Sequence, residues 1–202
     1  MSISSKTKWS ILVCGMRGKE FELQDQLLRL DNLIEESGRD DIEVLCFYDY
    51  KRESIGSKRN LLMGMANGDY VSYLDDDDSV RDEYITHILA AIDQNDPPDL
   101  VTFDQEVWVQ DTGERFVATF KDFDQLTEDG YFKEDGTWVG IPNHFCVWRK
   151  KCVERTRFPD TNWREDLDWM RQAKYKVQVI DHIDNVLLDY HLDPKKTPQD
   201  YE

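Results

Sequence analysis

Several features that define common classes of protein are missing from this chain. Its four cysteines show no CxxC spacing and are too few for a disulfide scaffold. No apolar run suggests a signal peptide or a membrane span, and the first apolar stretch is interrupted at Gly15. Basic residues are scarce, 25 against 42 acidic ones, which gives a net charge of −17. We therefore expect a reduced, cytoplasmic protein whose overall field repels nucleic acid and anionic membranes.

Helix and strand patterns alternate over the first hundred residues. Apolar runs of strand length occur at 9–14, 42–48, 70–74 and 100–103. Helical patterns lie between them, at 20–36, 57–67 (with Ser57 as the candidate cap) and 82–94. This alternation predicts an α/β fold with a mostly parallel central sheet and helices on both faces. In such sheets ligands bind beyond the carboxyl ends of the strands.

The second half of the chain is less regular. The predicted elements are a hairpin over 107–120, an acidic irregular loop over 121–135, an extended segment over 141–148, a helix over 165–174 and strands at 177–180 and 186–190. No linker interrupts the chain, so we expect a single domain over 1–202. Residues 9–105 would form one half of it and residues 106–194, a small, more antiparallel region, the other.

Four consecutive carboxylates, Asp75 to Asp78, follow the third predicted strand. Their mutual repulsion destabilises the fold unless a cation offsets it. Mg²⁺ or Mn²⁺ would do so, because these ions bind one or two carboxylates and complete their shell with water and phosphate oxygens. The alternative is that Asp78 or Ser79 caps the next helix while the other acids are solvated. The spacing excludes an EF-hand. Asp49 ends the second strand and is expected in the same crevice.

Three groups of motifs resemble glycosyltransferase family 2, which has the GT-A fold, and they occur in the family's order. Residues 54–60 (SIGSKRN), 66–71 (ANGDYV) and 74–78 (LDDDD) resemble the family's stretch that carries the DxD signature. Residues 163–169 (WREDLDW) are similar to its later Glu-Asp pair, and Tyr190-His191 to its aromatic–histidine pair. The resemblance implies an enzyme, a metal-dependent glycosyltransferase that transfers a sugar with inversion. It makes residues 9–105 the half that binds the nucleotide-sugar and residues 106–194 the acceptor and catalytic half.

The resemblance also implies roles for individual residues on the donor side. It places the Mn²⁺ or Mg²⁺ ion at Asp77, Asp75 and His191. It places the donor against Asp49, Lys58, Arg59, Asp75 and Asp76, with Arg17 as an additional phosphate contact. Arg59 suits the diphosphate better than Lys58, because its planar fork pairs with two oxygens. The alternative for both cations is a solvated helix start.

On the acceptor side the resemblance makes Asp166 the catalytic base, with Glu165 as the substitute. The alternative is that these acids only compensate the helix dipole. His144 competes with His191 for contact with metal or phosphate, or lines the acceptor side. Each histidine has an ordinary structural role as its alternative.

The chain departs from the family at residues 15–18 (GMRG), where many members have a Pro-Thr-x-Asn turn. UDP is the expected carrier. Two other functions stay open, a sugar nucleotidyltransferase and a non-catalytic nucleotide-sugar-binding protein of the same fold. The acceptor is open too, with a glycan favoured over a hydroxymethylated DNA base. Residues 148–157 hold five cations against one acid, and form either a DNA contact or a solvated helix face.

Overall fold

The computed structural model of the chain describes residues 6–193. In this range the strands are β1 (Trp9–Met16), β2 (Ile42–Asp49), β3 (Tyr70–Asp75), β4 (Ser79–Val80), β5 (Leu100–Val109), β6 (Arg115–Thr119), β7 (Gly130–Phe132), β8 (Trp138–Gly140), β9 (Val147–Arg149) and β10 (Ile180–Leu192). The α-helices are α1 (Glu20–Ser37), α2 (Ile55–Met65), α3 (Tyr84–Ile92), α4 (Lys150–Val153) and α5 (Glu165–Ala173). Short 3₁₀ turns lie at Phe123–Gln125 and Lys174–Lys176.

One sheet runs through the protein in the order β2-β1-β3-β9-β5-β6-β8-β7, and β10 pairs with β5 and β4. Its longest pairings, β1 with β2, β1 with β3 and β10 with β5, are parallel. The short strands β4, β7 and β9 pair antiparallel with their neighbours. The predicted α/β fold with a mostly parallel central sheet is therefore confirmed.

Side chains of β1 alternate between two cores, as the two-residue period of a strand requires. Trp9, Ile11 and Val13 pack on one face of the sheet, against α1 and α3. Leu12 and Cys14 pack on the other face, against α2 and α5. Each buried aliphatic side chain contributes about 1.5–3 kcal/mol. Helices on both faces make this strand the centre of the fold.

The N-terminal cap of α2 is Ser54, whose Oγ accepts a hydrogen bond from the Ser57 amide at 3.0 Å. The prediction that Ser57 caps this helix is wrong, because the helix begins two residues earlier. The second strand is less buried than its apolar run suggests. β2 lies at the edge of the sheet, where it has a neighbour on one side only, and Cys46 is exposed.

The second half contains the predicted hairpin, formed by β5 and β6. The acidic loop over 121–135 is more ordered than expected, since it includes β7. In the segment predicted to be extended, 141–148, only the last two residues belong to a strand, which is β9. The strand predicted at 177–180 is wrong except for its last residue, Ile180, where one long strand, β10, begins; β10 includes the strand predicted at 186–190 and has register shifts between Ile183 and Leu188. Between Lys6 and Asp193, no helix has the length and apolarity that crossing a bilayer requires.

Candidate active site

The carboxyl ends of the parallel strands bring the predicted donor-site acids to one edge of the sheet. Met16 pairs with Asp49 on one side of β1, and Cys14 pairs with Asp75 on its other side. The two carboxylates therefore flank the end of the same strand. This placement follows from the shared direction of β1, β2 and β3.

Asp49 and Lys58 form one buried pair in this crevice. The Asp49 carboxylate accepts hydrogen bonds at 2.8 Å from the amides of Arg52 and Glu53 and forms an ion pair with the Lys58 ammonium. Burial raises the pKa of Asp49, but these bonds outweigh it and hold the pKa below its usual value. Lys58 also donates to the Gly15 carbonyl oxygen at 3.1 Å. The alternative of a solvated helix start is wrong for Lys58.

Arg59 is the centre of a buried cluster of charges. Its guanidinium donates to Glu165 at 2.6 Å and to the two oxygens of Asp75 at 2.8 and 3.1 Å. It also lies 3.0 Å from the His144 Nε2. Burial raises the pKa of Asp75, but Arg59 and then His144 lower it well below its usual range. Arg59 is thus buried among carboxylates, so the solvated alternative is wrong for it as well.

Glu165 and Asp166 open helix α5 but face different surroundings. Glu165 is buried, and burial raises its pKa to about 7 against the opposing effect of Arg59. The Asp166 side chain is 37% exposed, and its Oδ1 accepts from the Leu167 amide at 2.7 Å. Arg164, just before the pair, has a left-handed backbone with φ of 60°, which is strained for a residue with a side chain. The turn leaves Asp166 as the acid of the pair that reaches solvent.

The His144 ring lies between Asp75 and Asp166. Nε2 is 3.5 Å from Asp75 Oδ2, and Nδ1 is 4.0 Å from Asp166 Oδ2. Burial and the Arg59 charge lower the pKa of His144, so the ring is neutral near pH 7. A guanidinium can only donate, so Nε2 accepts from Arg59 and Nδ1 carries the hydrogen. Nδ1 is buried and has no hydrogen-bond partner, which leaves a donor facing the Asp166 carboxylate.

The four aspartates have different partners. Asp76 is buried, and its Oδ2 accepts from the Met16 amide at 2.9 Å. Burial, joined by the charges of Asp77 and Asp75, raises the pKa of Asp76 to about 7. Asp77 lies 3.4 Å from the Lys19 ammonium. Nothing in the sequence signals the Lys19 contact, because the two residues are far apart along the chain.

Asp78 is not a helix cap. It is buried, accepts a hydrogen bond from the His191 amide at 3.1 Å, and has a second carboxylate oxygen without a partner. Burial raises its pKa well above the usual range. Ser79 belongs to β4, and α3 begins only at Tyr84. The capping alternative is therefore wrong, and Asp78 fixes the end of β10 beside the acidic run.

His191 lies next to Asp77, because the His191 Nδ1 is 2.7 Å from the Asp77 carbonyl oxygen. Among residues 6–193, no three acidic, histidine or cysteine side chains converge as a ready ligand group. Mg²⁺ commonly takes only one or two protein carboxylates and completes its shell with substrate phosphate. Asp77 and His191 fit such a partial site. Asp75 fits it less well, because both of its oxygens are bonded to Arg59.

The loop after β1 uses its backbone for internal bonds. The Met16 amide at the end of β1 is bonded to Asp76, and the amides of Arg17 and Gly18 donate to the Asp49 carbonyl oxygen and to Glu20, so this loop is not a glycine-rich phosphate cradle. The guanidinium of Arg17, an exposed residue, lies 5.3 Å from the centre of the Tyr50 ring. Of the predicted donor-side cations, Arg17 is the exposed one.

A cleft of about 540 Å³ opens beside Asp166 and His144. Apolar side chains of β5, β6, β8 and α5 form most of its wall, and Gln105 and Asn143 lie in it as a mutually hydrogen-bonded pair. Trp148 and Trp169 are fully buried in the core and do not line the cleft.

The basic segment at residues 148–157 begins at the opposite end of the sheet from the acidic run. Arg149 pairs with Tyr70 at the start of β3, whereas Asp75 ends that strand. At about 3.3 Å per residue, the start of the segment lies roughly 17 Å from the acidic run. Arg149 is also paired with Asp99 at 3.2 Å.

A clamp between the two halves of the chain was not predicted. Asp160 accepts hydrogen bonds from the hydroxyls of Ser54 and Ser57 at 2.6 and 2.7 Å. Asn162 accepts from the Ile55 amide at 2.8 Å. The clamp joins the start of α2 to the loop before α5 and thereby sets the position of Arg59 relative to Glu165.

Solved structures with this fold include glycosyltransferases. The structure of S. aureus TarS 1–349 in complex with UDP-GlcNAc matches 95% of this chain with a TM-score of 0.65 and 16% identity. The chain spans 60% of that protein's length. A197 from STIV matches 88% of this chain and 82% of its own, with a TM-score of 0.51 and 16% identity. At this identity the likeness establishes the fold, which is that of GT-A glycosyltransferases. Comparison with curated proteins gave no significant match.

The family model described as "Glycosyl transferase family 2" matches residues 30–157. The chain belongs to this family, as the motifs over 54–78 predict. The matched region includes Asp49, the acidic run and His144, and it ends before Asp166. Membership therefore rests on residues 30–157 and does not include the candidate base.

Proposed function

We propose that the chain is a metal-dependent, inverting glycosyltransferase that moves a sugar from a UDP-sugar to an acceptor hydroxyl. The observation that carries the proposal is the position of the His144 ring between two carboxylates. Its Nε2 lies 3.5 Å from Asp75, and its Nδ1 lies 4.0 Å from Asp166. A donor-side carboxylate and a candidate base thus lie in one compact site. The UDP-GlcNAc bound to TarS and the family membership support the donor class.

In the proposed reaction Asp166 acts as the general base. The acceptor oxygen attacks the anomeric carbon and forms the new glycosidic bond, while the bond to the diphosphate breaks and its electron pair leaves with the nucleoside diphosphate. The acceptor's proton passes to Asp166. His144 acts as a positioning residue, because its Nδ1 hydrogen faces Asp166 Oδ2 at 4.0 Å, while the Leu167 amide holds Oδ1.

We assign the metal to Asp77 and His191, with the donor diphosphate completing its shell. When bound, Mn²⁺ or Mg²⁺ supplies stabilisation for the negative charge that develops on the leaving diphosphate. Asp78 does not take part, because its carboxyl is buried and its pKa is raised. Asp75 serves mainly to hold Arg59 and to face the donor.

The remaining donor-side residues divide into contacts and supports. Asp49 and Asp76 face the nucleoside side of the crevice. Arg17, the exposed cation, is the candidate for direct phosphate contact. Lys58 and Arg59 act through Asp49 and Asp75, whose carboxylates they hold in place. Their contribution to binding the anionic donor is to reduce the negative field of the crevice.

Calorimetric titration with UDP, GDP and CMP, each with and without Mn²⁺, tests the donor and the metal together. We expect UDP to bind in the presence of Mn²⁺ and to bind at least tenfold more weakly after chelation. Binding of no nucleotide, or binding that ignores the metal, would overturn the proposal. Hydrolysis of UDP-GlcNAc with Mn²⁺ then separates an enzyme from a non-catalytic binding protein of the same fold.

Two pairs of variants assign the roles. Asp77→Asn should abolish metal-dependent UDP binding, whereas Asp82→Asn, with an 82% exposed carboxylate, should leave it unchanged. Asp166→Asn should keep UDP binding and reduce transfer about 100-fold or more. Its control is Asp168→Asn on the same helix, whose side chain is 54% exposed. Equal loss of UDP binding in the Asp77 and Asp166 variants would instead assign both residues to the fold.

A further inference from the structure

The cleft beside Asp166 has a charge distribution that selects against anions. Glu114, Asp129 and Asp166 line it, and none of the lining side chains within residues 6–193 is a lysine or an arginine. Arg171 pairs with Asp129 at 2.6 Å and offsets that one acid. An acceptor bearing phosphate, sulfate or carboxylate would therefore meet like charge in this cleft.

The cleft also contains a fixed aromatic surface, which we call the aromatic platform and define as Phe116, Phe132 and Trp138. The Phe132 ring packs edge-to-face on Phe116 at 5.2 Å and on Trp138 at 4.9 Å between ring centres. The indole lies across Gly130 and Gly140, where an added Cβ atom would come within 2.4 and 2.6 Å of it. Two glycines thus leave the space in which the indole rests against the backbone of β7 and β8.

The polar groups that line the cleft include the candidate base and its neighbours as well as the acids Glu114 and Asp129. The Gln105 and Asn143 amides bond each other at 3.1 and 2.8 Å, which satisfies part of their capacity inside the protein. His144 follows Asn143 in the chain, and its ring faces Asp166. A ligand that fills the cleft would place its hydroxyl at Asp166 and its apolar face on the aromatic platform.

We propose that the acceptor is an uncharged glycoside whose flat apolar part lies on the aromatic platform of Phe116, Phe132 and Trp138. The inference rests on the proposed function, because Asp166 supplies its orientation. A volume of about 540 Å³ suits a sugar with an attached aglycone. Flat apolar faces gain dispersion and hydrophobic contact on such rings. Polyanionic acceptors, nucleic acid among them, are excluded from this cleft by its acids.

The test compares three probes on the full chain by ligand-observed NMR, which detects millimolar binding: phenyl β-D-glucopyranoside, glucose and glucose 6-phosphate. We expect phenyl glucoside to bind more tightly than glucose, and at least tenfold more tightly than glucose 6-phosphate. Glu114→Gln should narrow the gap to the phosphate, as should 0.5 M salt. Binding of glucose 6-phosphate as tight as that of phenyl glucoside would overturn the proposal.

Two neighbouring exposed aromatics supply a matched pair of variants. Phe132, 57% exposed, belongs to the platform, whereas Tyr131, 51% exposed, does not line the cleft. Phe132→Ala should weaken phenyl glucoside binding about tenfold, and Tyr131→Ala should leave it unchanged. Equal effects of the two changes would refute the platform.

Calorimetry with UDP and Mn²⁺ on the same samples keeps the two proposals apart. Phe132→Ala should bind UDP as the natural chain does. If UDP binds but phenyl glucoside shows no preference, only the acceptor inference falls. If phenyl glucoside binds through Phe132 while no nucleotide binds, the cleft assignment stands and the glycosyl-transfer proposal falls.

Discussion

Removing the charge of Arg59 tests whether this residue holds the active site together. The guanidinium is buried and bonded to Glu165 at 2.6 Å and to Asp75 at 2.8 Å. In Arg59→Met both carboxylates lose their cation, the buried Glu165 and the partly buried Asp75, whose side chain is 29% exposed. Breaking a buried ion pair by removing one partner costs about 3–5 kcal/mol. That is a large share of a typical total of about 5–15 kcal/mol, and it corresponds to roughly 6–20 °C in Tm for a domain of this size.

The loss of stability in Arg59→Met should also depend on pH. Without Arg59 the folded-state pKa of Asp75 should rise above its unfolded value, and that of Glu165, which burial already raises, should rise further. Such groups contribute stability at low pH that is lost as pH rises through the folded pKa. The deficit of the variant should therefore be large at pH 8 and smaller at pH 5, as measured by urea denaturation at both values. Arg17→Met, which changes an exposed arginine, is the control and should alter stability by less than about 0.5 kcal/mol. A deficit under about 1 kcal/mol, or one that ignores pH, would refute the role of Arg59.

Further changes test the clamp and the buried acid. Gly56→Ala would place a Cβ 1.8 Å from the Pro159 carbonyl oxygen and should destabilise the protein by about 2 kcal/mol. Gly64→Ala on the same helix meets nothing within 4 Å and should stabilise by about 0.5–1 kcal/mol; equal shifts in Tm would contradict this account. Because burial raises the pKa of Glu165 to about 7, the free energy of unfolding of the natural chain should fall by up to about 3 kcal/mol as pH rises from 4.5 to 7. Glu165→Gln should flatten that part of the urea-denaturation profile and Glu154→Gln should not; an unchanged slope in the former would contradict the shift.

The first half of the fold follows from local sequence patterns because each element signals itself. Apolar runs of strand length and helical apolar spacing predict β1, α1 and β3 to within two residues. The edge position of β2 could not be predicted from its apolar residues, since burial depends on which strands become neighbours. The start of α2 was missed because Ser54 and Ser57 both suit a cap, and both hydroxyls are bonded to Asp160, far along the chain.

The site was predicted as a set of residues but not as an arrangement. Strand direction accounts for the proximity of Asp49 and Asp75, and this much the sequence could indicate. The Arg59 contacts with Glu165 and His144 join segments about a hundred positions apart, and no local pattern encodes them. Burial also reversed the expected role of the cations, because a lysine and an arginine in the first turns of a helix usually face water.

The four aspartates differ in their partners and in their burial, and these differences reduce the number of them that need a metal cation. Asp75 is already paired with Arg59, and the buried carboxyls of Asp76 and Asp78 have raised pKa values that reduce their charge. The repulsion inferred from the sequence is therefore mostly relieved without a metal ion. Asp77 has a different cation as its neighbour, because the partly exposed Lys19 ammonium lies 3.4 Å from its carboxylate. A divalent ion proposed here would act on the donor diphosphate through Asp77, rather than neutralise the run as a whole.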